Sequence, residues 1–147
     1  MRITQEADYA IRIVSLLSGS DTVRGAADIA EETGVPQRFT HKILRKLLQG
    51  GVLRSFSGAH GGYMLHRSPT SITLLDIIEL IDGPFALSKC ADETYICSKN
   101  GLCKQGCVYH CVFAALSSMV SERLQRMSIA ELNDPQTNVN DVITRLQ

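Results

Sequence analysis

Residues 26–67 read AADIAEETGVPQRFTHKILRKLLQGGVLRSFSGAHGGYMLHR, and the fold turns on this stretch. The spacing predicts a short helix over about Ala26–Thr33, with Ile29 inward and Asp28, Glu31 and Glu32 outward. Gly34 suits its C-terminal stop, because glycine adopts the left-handed conformation without a Cβ penalty. Val35-Pro36 makes a brief turn, and Pro36 is acceptable where the next helix begins. That helix, about Gln37–Gln49, has two faces. Phe39, Ile43, Leu44, Leu47 and Leu48 point inward, and Gln37, Arg38, His41, Lys42 and Arg45 point outward. Two short helices across a tight turn, the second basic on its exposed side, form a helix-turn-helix pattern. Val52–Phe56, the glycine-rich 57–62 and Tyr63–Arg67 then read as strand, turn and strand. A hairpin in that place is a wing. Arg54, His60, Gly61 and Arg67 are placed to meet phosphates or a groove, and the glycines permit positive φ and close backbone approach. The plain alternative is a hairpin that only covers the core.

Charge supports a polyanionic partner. Formal net charge is zero, yet residues 1–67 carry nine Lys/Arg against six Asp/Glu, and residues 68–147 carry six against nine. No acidic residue occurs between Glu32 and Asp76, where Arg38, Lys42, Arg45, Lys46, Arg54 and Arg67 lie with His41, His60 and His66. A one-sign block of this length suits nucleic acid.

Before this stretch, Ile3, Ala7, Ala10, Ile11, Val14 and Leu17 recur at helical spacing and predict a first helix over Thr4–Leu17, half-capped by Thr4. After it, the pattern predicts a helix over Ser71–Ile81 with Ile72, Leu75, Ile78 and Ile81 buried and Asp82-Gly83-Pro84 as its stop. A long helix over about Val108–Met127 carries a stripe of Val108, Val112, Leu116, Val120, Leu124 and Met127. That stripe exceeds what one small core can cover, which predicts self-association. The end of the chain is expected to be short and weakly ordered. A chain of 147 residues, 44% apolar and without Trp, is expected to be a single mostly helical globular unit. The first turn holds Arg2, Glu6 and Asp8 and no 18-residue apolar run exists, so neither a secretory leader nor a membrane span is expected, and the cytoplasm is the default location.

All five cysteines lie in one run, Cys90-x6-Cys97-x5-Cys103-x3-Cys107-x3-Cys111, and His110 follows Cys107 by three. In a reducing compartment such a patch of soft ligands reads as a metal or redox site before a disulfide framework, and the odd count agrees. Gaps of six and five residues suit an iron–sulfur cluster better than the short knuckles of structural zinc. A metal-free thiol switch, a zinc site, a ferredoxin-like electron carrier and a Cys107/His110 nucleophile pair are the alternatives. No orienting third group or oxyanion loop accompanies that pair, so no enzyme is expected. Cys111 is expected to be a packed thiol.

Several pieces together carry a family likeness: Met1-Arg2-Ile3-Thr4 with Asp8-Tyr9-Ala10 and Arg12; Ala27-Asp28-Ile29-Ala30 with Gly34-Val35; Gly58-x-x-Gly61-Gly62-Tyr63-x-Leu65; Ile72-Thr73-Leu74-Leu75-Asp76-Ile77-Ile78-Glu79 with Asp82-Gly83-Pro84; and Met127-Ser128-Ile129-Ala130-Glu131-Leu132. Over residues 1–132 the chain resembles the winged-helix iron–sulfur transcription regulators that include IscR and NsrR, the Rrf-type regulators. The resemblance implies a mainly α fold: a winged helix-turn-helix DNA-binding domain over 1–83, a cysteine-rich cluster loop over 84–107, a dimerisation helix over 108–132 and a tail over 133–147. It implies a homodimer on a double-stranded DNA operator, controlled by a 2Fe–2S or 4Fe–4S cluster sensing iron, redox state or nitric oxide. It places Cys90 at the first cysteine, Cys107 and His110 at the third cysteine and the histidine ligand, and Asp8 at an aspartate that completes the cluster from the other subunit. The interval from Cys90 to Cys107 is longer than the family's and contains Cys97 and Cys103, so the ligand set is drawn from Cys90, Cys97, Cys103 and Cys107, with His110 or Asp8 as alternative fourth ligands. The wing has Ala59-His60 in place of the usual Gly-Pro, and His41 stands where the biogenesis branch has an acid, so the operator need not be shared.

Overall fold

The computed structural model describes residues 3–58, 60–92, 95–98 and 107–146. In chain order it has α1 (Gln5–Ser18), α2 (Ala26–Thr33), α3 (Gln37–Gln49), β1 (Leu53–Phe56), β2 (Gly62–Leu65), α4 (Leu74–Asp82), α5 (Val108–Gln125), α6 (Ile129–Leu132) and α7 (Val139–Leu146), with 3-10 turns at Pro69–Ser71 and Lys89–Ala91.

Helices α1 to α4 pack around one core. Ala7, Ala10, Ile13, Val14, Leu17, Ile29, Ile43, Leu44, Leu47 and Ile77 form its centre, and Ile129 of α6 joins it from the far end of the chain. Full burial of each Leu or Ile contributes roughly 1.5–3 kcal/mol. The α1 face is rotated slightly from the expected one: Ile13 is fully buried, while Ile3 is 45% exposed. The reason is the cap. Thr4 precedes the helix, its Oγ1 accepting from Ala7 N–H at 3.2 Å and donating to Asp82 Oδ1 at 2.5 Å, which leaves Ile3 outside the packed turn. In α3, Thr40 occupies a core position that a hydrophobicity pattern passes over; its hydroxyl is satisfied by Val35 O at 3.3 Å.

The α4 start is later than predicted. Ser68 caps the 3-10 turn, and Thr73 then opens α4 with a reciprocal capping box to Asp76, both bonds at 3.1 Å. Gly83, at φ 86°, ends the helix as expected.

β1 and β2 pair antiparallel, with Leu53 opposite Leu65 and Phe56 opposite Gly62. A third backbone segment joins them: Arg24 and Tyr63 exchange two hydrogen bonds of 2.9 Å. This gives Gly62 a role other than ligand approach. A Cβ there would sit 2.3 Å from Arg24 O, and one at Gly61 would sit 2.4 Å from Phe56 O. Gly62→Ala should therefore pull the hairpin off Arg24 and cost roughly 1–3 kcal/mol, read as a lowered thermal midpoint with the rest of the helical signal intact.

Beyond α4 the chain departs from expectation in three ways. The long helix stops at Gln125, so Met127 lies past its end, where its carbonyl accepts Leu74 N–H at 3.0 Å. The terminal stretch, expected to be weakly ordered, forms α7. Asn133 pins the intervening turn to α1: its Oδ1 accepts from Ser15 Oγ at 2.7 Å and its Nδ2 donates to Ser18 Oγ at 2.6 Å.

Candidate nucleic-acid interface and thiol segment

The outward face of α3 is built as its pattern predicts. Gln37, Arg38, His41, Lys42 and Arg45 are all exposed, while Ile43, Leu44 and Leu47 fix the helix from behind. Each polar side chain has its own setting. Arg38 stacks over Phe39, 4.8 Å from the ring centroid, and Phe39 meets Tyr9 of α1 edge-on at 5.9 Å. His41 Nδ1 lies 2.9 Å from Gln37 O, so Nε2 is the outward atom. In the wing, Arg54 stacks on Phe56 and reaches Met64 Sδ at 3.4 Å; His60 is exposed and Gly61 half-buried at the tip. Arg67 stays exposed, bonding Ser71 O and, at 3.4 Å, Asp76 in the first turn of α4.

One important residue escaped the sequence reading. Glu6 of α1 lies between two lysines of α3: Oε2 accepts from Lys42 Nζ at 2.9 Å, and Oε1 pairs with Lys46 Nζ at 2.9 Å. Oε1 is buried against the Lys46 ammonium, which compensates its charge. Burial alone would raise the pKa of Glu6, but hydrogen bonding and charge from Lys46 and Lys42 outweigh it and hold the carboxyl below its ordinary value. Lys46 also donates to Ile81 O at 3.2 Å. Nothing in a one-dimensional pattern distinguishes Glu6 from any acid in a helix's first turn.

The thiol segment is docked on α5. Leu87 N–H donates to Ser117 Oγ at 3.0 Å, and Ser117 is the one buried residue of α5 among those described. Cys90 Sγ lies 3.2 Å from Ser88 Oγ, and Cys90 O lies 2.5 Å from His110 Nδ1. Cys107 is the residue immediately before α5. Cys90, Cys97 and Cys107 are half-buried, whereas Cys111 is exposed, which corrects its expected role as a packed thiol. The cause is its position: α5 turns most of this face away from the core. Cys103 lies outside the described residues. Asp8 pairs with Arg12 at 2.8 Å, half-exposed on α1.

As a donor set, thiols with one imidazole suit an iron–sulfur group. His110 fits in a further respect: a ligating imidazole characteristically has its other nitrogen on a carbonyl or carboxylate, as Nδ1 has on Cys90 O. Among the described residues, however, no three His, Cys, Asp or Glu side chains gather closely enough to hold a metal.

The profile of the Rrf2 family, described as an iron-dependent transcriptional regulator, matches residues 3–135. The chain belongs to the Rrf2 family. An HTH-type regulator of Mycobacterium tuberculosis is 39% identical over 88 residues, which cover 58% of this chain and 55% of that protein. The chain thus spans little more than half the length of the first curated relatives it matches. IscR of Vibrio parahaemolyticus is 29% identical over 137 residues, covering 90% of this chain and 77% of that one. Among solved structures, CymR, the global cysteine regulator of B. subtilis, superposes with a TM-score of 0.71 at 21% identity, over 90% of this chain and 96% of CymR. IscR of T. potens does so with a TM-score of 0.69 at 21% identity, over 90% and 85%. Both likenesses confirm the mainly α winged-helix fold. Rrf2 proteins are transcription regulators, and no helix among the described residues of this one is long and apolar enough to cross a membrane.

Proposed function

We propose that this Rrf2 chain is a cytoplasmic, homodimeric regulator of a double-stranded DNA operator, and that an iron–sulfur cluster on the segment before α5 sets its grip. On this reading residues 1–83 are the DNA-binding unit, 84–107 the ligand segment, 108–132 the dimerisation helix and 133–147 the tail. The observation that carries it is the contact between His110 Nδ1 and Cys90 O at 2.5 Å, which draws the start of the cysteine run to the foot of α5 and makes Nε2 the nitrogen that would ligate. Cys90, Cys97, Cys103 and Cys107 supply thiolates, with His110 or Asp8 of the partner subunit as the alternative fourth ligand. A bound cluster supplies a centre responsive to iron supply, oxidants or nitric oxide.

The rest is work for the chain's own residues. Leu87 and Cys90 are tied to Ser117 and His110, so a rearranged 84–107 segment bears directly on α5. Helix α5 presents the apolar face by which two copies pair, and its displacement changes the spacing of the two α3 helices, which should read half-sites ~34 Å apart. A coupling of about 1–3 kcal/mol corresponds to a roughly 5- to 150-fold change in affinity. Gln37, Arg38 and His41 face base edges or nearby phosphates, with Lys42 beside them on the same face but held by Glu6; Arg45 and Arg54 face the backbone, and His60 and Gly61 the flanking groove.

A cluster-free regulator of the same fold, controlled by thiol oxidation or by a bound protein, is the second reading. It is favoured by the exposed Cys111 thiol and by the absence of a three-donor cluster among the described residues. Anaerobic purification separates the two. A brown protein with bound iron and sulfide, bleached in Cys90→Ser, supports the cluster; a colourless protein without iron contradicts it. The DNA arm is tested by Arg45→Ala, which should weaken binding evenly across sequences and reduce the salt slope by about 1; unchanged binding contradicts it.

A further inference from the structure

The recognition helix carries more positive charge than it can offer to DNA. Arg38, Lys42, Arg45 and Lys46 lie within 9 residues, no acid follows Glu32 until Asp76, and like charges at i, i+4 repel. Glu6, from a different helix, answers two of the four. Its oxygens take one ammonium each at 2.9 Å. The two lysines are not held alike. Lys46 is two-thirds buried and doubly engaged, on Glu6 and Ile81 O, so it belongs to the scaffold. Lys42 is 57% exposed and pairs with Glu6 at 2.9 Å, on the very face that would meet DNA. Arg38 and Arg45 carry no ion pair among the described residues and stay available.

A carboxylate that occupies an ammonium otherwise aimed at the duplex is an internal substitute for phosphate. We infer that Glu6 withholds Lys42 from the DNA backbone, acting as a positioning residue that suppresses sequence-independent binding and so raises the selectivity of α3. The physical reason is that non-specific affinity is almost wholly electrostatic: each phosphate neutralised adds about 0.9 to the salt slope. A cation already neutralised by the protein contributes nothing to that slope unless DNA displaces its acid. Base-edge readout by Gln37, Arg38 and His41 loses nothing by the restraint.

This rests on the DNA-binding reading, and the test separates the two. The probe is a mixed-sequence duplex, titrated at several salt concentrations with the native chain, Glu6→Gln, Lys42→Gln and the double variant. Glu6→Gln should bind roughly 3- to 10-fold tighter near 0.1 M salt, with a slope steeper by about 1, and the double variant should lose that gain. Lys42→Gln alone should leave the native slope unchanged; this arm decides the matter if Glu6→Gln fails to fold. Equal slopes for native and Glu6→Gln chains, weaker binding by Glu6→Gln, or a fall of about 1 in slope for Lys42→Gln alone would overturn the inference. A native chain that binds no duplex even at low salt would overturn the DNA reading and this inference with it.

Discussion

Replacing Leu116 and Val120 together by glutamate is expected to leave a folded monomer and to weaken duplex binding by roughly 10²- to 10⁴-fold, the advantage lost when two linked sites become one. Both side chains lie on α5, 42% and 37% exposed, within an apolar surface that also includes Val108, Tyr109, Val112, Phe113 and Met119. Monomeric proteins rarely leave so many large apolar groups contiguous and open to water. The docked side of the same helix is narrow, with Ser117 its buried point, so two glutamates on the open side should not disturb the fold of a single chain. Sedimentation analysis reads the result directly. A double variant that still sediments as a dimer, with native operator affinity, would remove α5 from the subunit contact.

Leu44→Ala is expected to cost about 2–5 kcal/mol of stability, a drop in thermal midpoint of roughly 4–20 °C for a chain of this size. Leu44 is fully buried beside Ile43 and Leu47, against α1 and α2. A cavity there loosens the helix that presents Arg38, His41 and Arg45, so DNA affinity should fall as well, without any change in surface charge. Circular dichroism melting and a gel shift at low temperature distinguish the two losses. A midpoint within about 1 °C of native would mean that α3 is not anchored through this side chain.

The elements that a periodic pattern can announce were legible. Helix α2 ends at Gly34 and α3 begins after Pro36 as expected, because the left-handed glycine (φ 68°) and the fixed proline ring set the backbone locally. The wing was legible for the same reason. What the pattern missed depends on partners distant in sequence. Ile3 faces outward because Thr4 is claimed by Asp82, 78 residues away. Gly62 is small because Arg24 crosses it, and Asn133 orders the C-terminal turn by bonding α1. Glu6 acquires its role only when α1 meets α3. Of the proposed ligands, the clustering of the thiols was visible in their spacing and His110 was implied by the family resemblance, whereas the docking of Leu87 on Ser117 needed the fold.

The central claim is that the thiol segment controls the grip of α3 on DNA through α5. It is tested most directly by measuring operator affinity anaerobically, with operator selected from a random duplex pool by the native protein. The native protein is compared with a variant in which Cys90, Cys97, Cys103 and Cys107 are all serine. The account predicts that both remain dimeric and that their affinities differ by at least about 5-fold. Two dimers that bind the same operator with equal affinity would contradict it.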